Sequence, residues 1–348
     1  MGWFGSRLLT AVGFMAFSAL LWHLLAGFSY RLMFAAVPVL FAVQITLCDA
    51  LEGIVMSKVG WRTKWFTLII APGTILHELC HLFAALATGC TVTKAALFRP
   101  NPSTGVLGYV AYTQPDDRLV VFREFLVGFA PFFGCGLLLV AVGGMSGFDA
   151  LSFMDAAPIP DVGGFADMAQ RMASSATSSL SGLDLSKPSV WFLIYLQMCF
   201  TFGAAPSTVD FKGALSSLYR HIVSAAVFLA FAAFVVLASQ NRLGLGGYED
   251  FVQSAIGAFL GFTLVVMTLS CLLMAAILPV LYFAVKVLEL EGTSKTIPLT
   301  AGFLACYYGN MEYGRDAGLA AAACVSVVAY LLLRWTNKPA TRKGRGKS

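Results

Sequence analysis

The chain has 348 residues, of which 58% are hydrophobic and only 12% charged, and its mean hydropathy is +0.79. A soluble domain carries about 25% charged residues, so this composition excludes an ordinary soluble domain and points to an integral, multi-pass membrane protein. The net charge of +5 is concentrated in the tail from Lys338 to Lys347, where it reports orientation or contact with anionic lipid and excludes nucleic acid as a partner.

About 20 apolar residues cross the hydrocarbon of a bilayer. That length predicts an all-α polytopic protein of about eight transmembrane helices. The first span runs from about Leu8 to Phe28; it lacks a small-residue cleavage site and reads as a span, not as a signal peptide. The second runs from about Leu32 to Val55, and a basic connector from Lys58 to Lys64 follows it. The third covers about Trp65 to Ala87. Next comes a predicted β-hairpin over Thr91 to Thr113. Its β-prone ends, Thr91 to Thr93 and Val106 to Tyr112, flank the turn-rich Arg99-Pro100-Asn101-Pro102-Ser103-Thr104-Gly105.

The fourth span runs from about Leu119 to Val142. Gly143 to Pro188 then reads as a mobile polar loop rich in Gly, Ser and Ala, with one amphipathic helix near Phe165 to Met172. The fifth span covers about Val190 to Ala205, the sixth about Ala214 to Ala238, and the eighth about Ala317 to Leu333. The seventh, about Phe251 to Val287, is long enough that it must tilt, kink or project. Leu299 to Tyr308 is apolar but short, and reads as a re-entrant or interfacial piece. The basic connector and basic tail favour the cytoplasmic side; the inverted arrangement would put Lys94, Arg99, Arg118 and Arg123 there instead. The eight cysteines include no CxxC pair, so they read as buried thiols, not as a zinc knuckle or a disulfide framework.

The third span carries His77-Glu78-Leu79-Cys80-His81, an HExxH motif that takes two of the four histidines in the chain. Residues i and i+4 share a helix face, so His77 and His81 can direct imidazole nitrogens at one metal ion. Glu78 is offset so that it reaches a metal-bound water instead of the metal. Three ionisable side chains at membrane depth are costly and call for a function. Pro72-Gly73, just before the motif, can break or widen the helix and admit water.

Catalytic zinc takes three protein ligands and one open position. Asp210, after Pro206 at the end of the fifth span, can turn in to the metal from a locally unwound segment. Glu124, Glu289 and Glu291 are rival ligands, and Asp49 and Glu52 are candidates to support the site from the second span.

The arrangement resembles the site-2 protease family of intramembrane zinc metalloproteases. Those enzymes have HExxH on a membrane helix, a hairpin-like element soon after it, and an Asp from a later span. Gly128-Phe129-Ala130-Pro131 is similar to a Gly-Pro element of the family, whereas Phe211 stands where the family often has Gly after the Asp. The resemblance implies Zn2+ held by His77, His81 and Asp210, with Glu78 as general base. Zinc-bound water would attack peptide bonds of a transmembrane protein substrate. It also implies a metalloprotease core over residues 65–215. An N-terminal transmembrane hairpin (1–64), C-terminal helices (216–335) and a basic tail (336–348) would surround that core. Two other readings remain open on the residues alone. One is a prenyl-protein-endopeptidase-type membrane metalloprotease with a Glu as third ligand. The other is a non-enzymatic transporter or assembly factor.

Overall fold

An apolar segment in a bilayer has few options, because the backbone must bond to itself where water is absent; an α-helix does so within one segment. The computed structural model follows that rule. It describes residues 3–26, 28, 30–55, 64–101, 106–153, 159, 161–184, 187–205, 208–239, 248–290, 294 and 296–336. These are mostly helical. In chain order the elements are α1 (Trp3–Leu24), α2 (Arg31–Val55), α3 (Lys64–Ala87), β1 (Thr91–Ala96), β2 (Tyr109–Thr113), α4 (Val120–Met145), α5 (Val162–Gly182), α6 (Pro188–Ala204), α7 (Thr208–Arg220), α8 (Ile222–Ser239), α9 (Tyr248–Leu288), α10 (Thr296–Tyr313) and α11 (Arg315–Thr336).

Among the described residues, four helical stretches are long and apolar enough to cross a membrane: Arg31–Leu51, Ile70–Ala87, Val120–Met145 and Phe251–Leu288. They match the second, third, fourth and seventh expected spans. Four shorter apolar stretches, Val12–Leu24, Pro188–Ala204, Ile222–Val235 and Gly318–Leu333, lie at the other four.

Several expectations are corrected. The sixth span, expected as one helix from Ala214 to Ala238, is two: α7 stops at Arg220 and α8 starts at Ile222, with the polar pair Arg220-His221 at the break. The polar segment 143–188 contains a 21-residue helix, α5. Met168 and Met172 on its inner face are buried in the main core, so apolar anchoring overrides the polar composition of the other face. The short piece at Leu299 to Tyr308 belongs to an 18-residue helix, α10, which pairs with α11; Gly302 faces Ser326, and Gly318 lies against Asn310 and the Cys306 carbonyl. Pro72-Gly73 does not break α3, which continues through Pro72. The basic connector before Lys64 and the tail after Thr336 lie outside the described residues.

Lipid tails are as apolar as leucine, so helices associate through close packing and small residues. The packing around α3 follows that logic. A Cβ on Gly73 would overlap the Cys199 carbonyl of α6, and one on Gly134 of α4 would overlap Cys80 Sγ. Gly203 of α6 abuts both Cys135 and the Gly73 carbonyl. These contacts make α3 and α6 parallel, with α4 antiparallel to both. Helix α9, whose 41 residues extend about 60 Å, is twice as long as the ~30 Å hydrocarbon is thick. Its buried Leu260, Leu264, Val266 and Met267 share the main core with Phe132 and Leu139 of α4 and Met33 and Phe41 of α2. Gln44 on α2, fully buried, donates to Ser270 Oγ on α9 at 3.0 Å.

The expected hairpin is present, with a shorter second strand. Strands β1 and β2 are antiparallel, Thr91 opposite Thr113 and Ala96 opposite Tyr109, with an irregularity between Val92 and Lys94. Arg99 N–H donates to the Leu107 carbonyl and Asn101 N–H to the Val106 carbonyl, each at 2.7 Å, so pairing extends into the arm beyond the strands.

Candidate metal centre

Helix α3 places His77 and His81 one turn apart on one face. Their Nε2 atoms lie 3.1 Å from each other. Asp210 enters from the first turn of α7: its Oδ2 is 3.4 Å from His77 Nε2 and its Oδ1 is 3.4 Å from His81 Nε2. Asp210 therefore sits on a helix, not on an unwound segment. These three residues form a group whose ligand atoms all lie within 4.8 Å of one another, and the group could hold a metal ion. The spacing suits a tetrahedral ion, since metal–donor bonds of about 2.0–2.1 Å separate donors by about 3.3 Å.

The hydrogen bonds behind the histidines decide which nitrogens are free. His77 Nδ1 lies 2.9 Å from the Gly203 carbonyl and His81 Nδ1 lies 2.8 Å from the Val127 carbonyl. A carbonyl only accepts, so both Nδ1 atoms carry a proton, and in the neutral rings that leaves both Nε2 atoms with bare lone pairs. Two lone pairs at 3.1 Å, beside a carboxylate, repel one another unless a cation lies among them. The donor set therefore fits a metal on chemical as well as geometric grounds. The Gly203 carbonyl is available because α6 ends one residue later, at Ala204, leaving its last carbonyls without helical donors. The close approach at Gly73 brings that carbonyl to His77.

Glu78 is buried and is not among the three converging ligands. The hairpin arm covers it. A Cβ on Gly108 would lie 2.8 Å from Glu78 Cγ and 2.8 Å from the Leu97 carbonyl, so only glycine fits between the arm and the acid.

The hairpin is tied to the start of α4. Both oxygens of Glu124 are engaged: Tyr112 Oη donates at 3.1 Å and Gln114 Nε2 at 2.9 Å. Arg123 donates to both carboxylate oxygens of Asp117, at 2.6 and 2.7 Å, and its Nε donates to the Thr88 carbonyl just past α3. Arg123 holds the exposed Asp117 carboxyl below the usual carboxylate range, helped by the Leu119 N–H. Burial pushes the Tyr112 phenol up, and the Glu124 carboxylate adds to the effect, so Tyr112 is a neutral donor.

Among the rival ligands, Glu124 is thus committed to the hairpin. Glu289 pairs with Lys286 at 2.7 Å, and Glu291 lies outside the described residues. Asp49 is on α2 and is not in the converging group, and the Glu52 side chain lies outside the described residues. Reading the sequence missed Gly203, Gly108 and Val127 as parts of the site, and gave Gly73 a helix-breaking role where the structure gives it close packing on Cys199. All four act through backbone or absence of a side chain, which leaves no chemical signature; the Gly-Pro pattern around residue 128 was the one available signal for Val127.

No family model matches the chain, and neither a curated protein nor a solved structure matches it.

Proposed function

We propose that this protein is an intramembrane zinc metalloprotease, similar to the site-2 protease family, that hydrolyses peptide bonds of membrane-embedded protein substrates. The observation that carries this reading is the convergence of His77 Nε2, His81 Nε2 and the Asp210 carboxylate on an apolar helix bundle, with Glu78 beside them. Two imidazoles, one carboxylate and an open position suit zinc in a catalytic role. The four span-length helices and the four shorter apolar ones together would make the eight-span, multi-pass arrangement.

Bound zinc supplies Lewis acidity, which lowers the pKa of water towards about 7 and polarises a scissile carbonyl. His77, His81 and Asp210 would hold the ion. Glu78 takes the proton from the attacking water and returns it to the leaving amine. The hairpin arm above Glu78 limits bulk water. A substrate helix hides its peptide bonds in its own hydrogen bonds, so it must unwind before cleavage. Among the described residues the sheet has two strands, and an unwound segment can add to it as a further strand.

The test is zinc per chain in detergent-purified full-length protein. About one zinc is expected in wild type, with loss in both His81→Ala and Asp210→Ala. Zinc retained in Asp210→Ala would move the third ligand elsewhere. No zinc in wild type after metal-replete purification would remove the hydrolase reading and favour a non-enzymatic membrane protein.

A further inference from the structure

In an α-helix the carbonyl of residue i accepts from the N–H of residue i+4. For Val127 the donor position is residue 131, which is proline and has no N–H. Helix α4 nevertheless runs through Pro131 as one element, Val120–Met145, and both Val127 and Pro131 are buried. A buried carbonyl deprived of its helical donor needs another. His81 provides it: Nδ1 lies 2.8 Å from the Val127 oxygen. A proline inside a helix is destabilising, so its place here calls for a return elsewhere in the molecule.

We propose that Pro131 is a positioning residue for the metal centre: by withholding an amide N–H it reserves the Val127 carbonyl for His81. That bond keeps the His81 proton on Nδ1, turns the bare Nε2 towards His77 and Asp210, and fixes the ring against rotation. Pro131 touches neither metal nor substrate. The inference rests on the metal-binding part of the proposed function and not on the hydrolytic step.

The test compares the zinc and cobalt(II) affinities of the full-length detergent-solubilised protein in wild type, Pro131→Ala, Pro131→Ser and Pro279→Ala, by competition with a chelator of known affinity. Alanine and serine both restore the N–H, so Val127 regains a helical partner that competes with His81 for its carbonyl. The expected result is a 10- to 100-fold weaker affinity in both Pro131 variants, the usual consequence of losing a partner that orients a ligand histidine. The cobalt(II) absorption spectrum should change with it. Pro279→Ala, at an exposed position of α9 and outside the converging ligand group, should bind as wild type does. The metal-free Pro131 variants should unfold at the same or a higher temperature than wild type, because a helical hydrogen bond is gained; a merely structural proline would not separate affinity from stability in this way. Affinities of both Pro131 variants within twofold of wild type would overturn the inference and leave the proposed function standing. A wild-type protein that binds neither metal would overturn both.

Discussion

At Glu78 the chemistry and the coordination part company. Its neighbours His77 and His81 direct their Nε2 atoms at a shared point, whereas Glu78 is one residue off that face and lies beneath Gly108. A residue so placed can move protons without holding the ion. Glu78→Gln keeps the size and removes the base, so the variant should retain wild-type zinc and lose cleavage by about 10²- to 10⁴-fold, the usual scale of general acid–base catalysis. A peptidase assay paired with metal analysis checks this, and unchanged turnover would sink the proposed role. Gly108 gives a second prediction at the same scale. A valine there would press on Glu78 Cγ and on the Leu97 and Ala96 carbonyls, so Gly108→Val should lower cleavage sharply while zinc stays bound.

Elements matter through how they are tied together. Residues 123 and 124, near the start of α4, tie down the two ends of the hairpin segment: Arg123 reaches the Thr88 carbonyl and Asp117, and Glu124 reaches Tyr112 and Gln114. One turn further on, Val127 meets His81, so one helix both anchors the cover and orients a ligand. Glu124→Ala leaves two partly shielded donors without their acceptor, at a cost of about 1–3 kcal/mol each. It should raise hydrogen exchange and protease sensitivity over residues 91–117 while zinc per chain stays unchanged. Loss of zinc in that variant would instead make Glu124 a ligand and revive the glutamate alternative. The α3–α6 contact is less forgiving. Any Cβ at residue 73 meets backbone, not a flexible side chain, so Gly73→Ala should push α6 away, draw the Gly203 carbonyl off His77 and weaken metal binding.

Over the whole molecule the site and the periphery separate cleanly. Helices α3, α4, α6 and α7 supply the donors and their supports, and α9 braces α2 and α4 behind them. Helices α10 and α11 pack chiefly on each other, and Phe283 against Tyr330 is an aromatic contact linking them to α9. Removing residues 291–348 should therefore leave zinc stoichiometry intact. Metal analysis of the shortened chain tests that, and loss of zinc would show that the C-terminal pair supports the centre.

The helices were legible because the bilayer leaves an apolar segment little choice, and the His77/His81 face was legible because 3.6-residue periodicity places i and i+4 together. Asp210 was legible as a carboxylate near a span end, though not as a member of a helix. The hairpin was readable from its turn residues, but the offset of its second strand to Tyr109–Thr113 depends on which backbone groups pair. Helix α5 was underestimated because its Ser- and Gly-rich composition hides how few apolar residues, Met168 and Met172 among them, suffice to dock it. What lay beyond the sequence was the meeting of faces. Gly73 against Cys199, Gly203 against His77 and Val127 against His81 join residues 46 to 126 positions apart. Local periodicity sets which residues share a face of one helix. Which two faces touch depends on how closely their backbones can approach, and that is a property of the packed bundle.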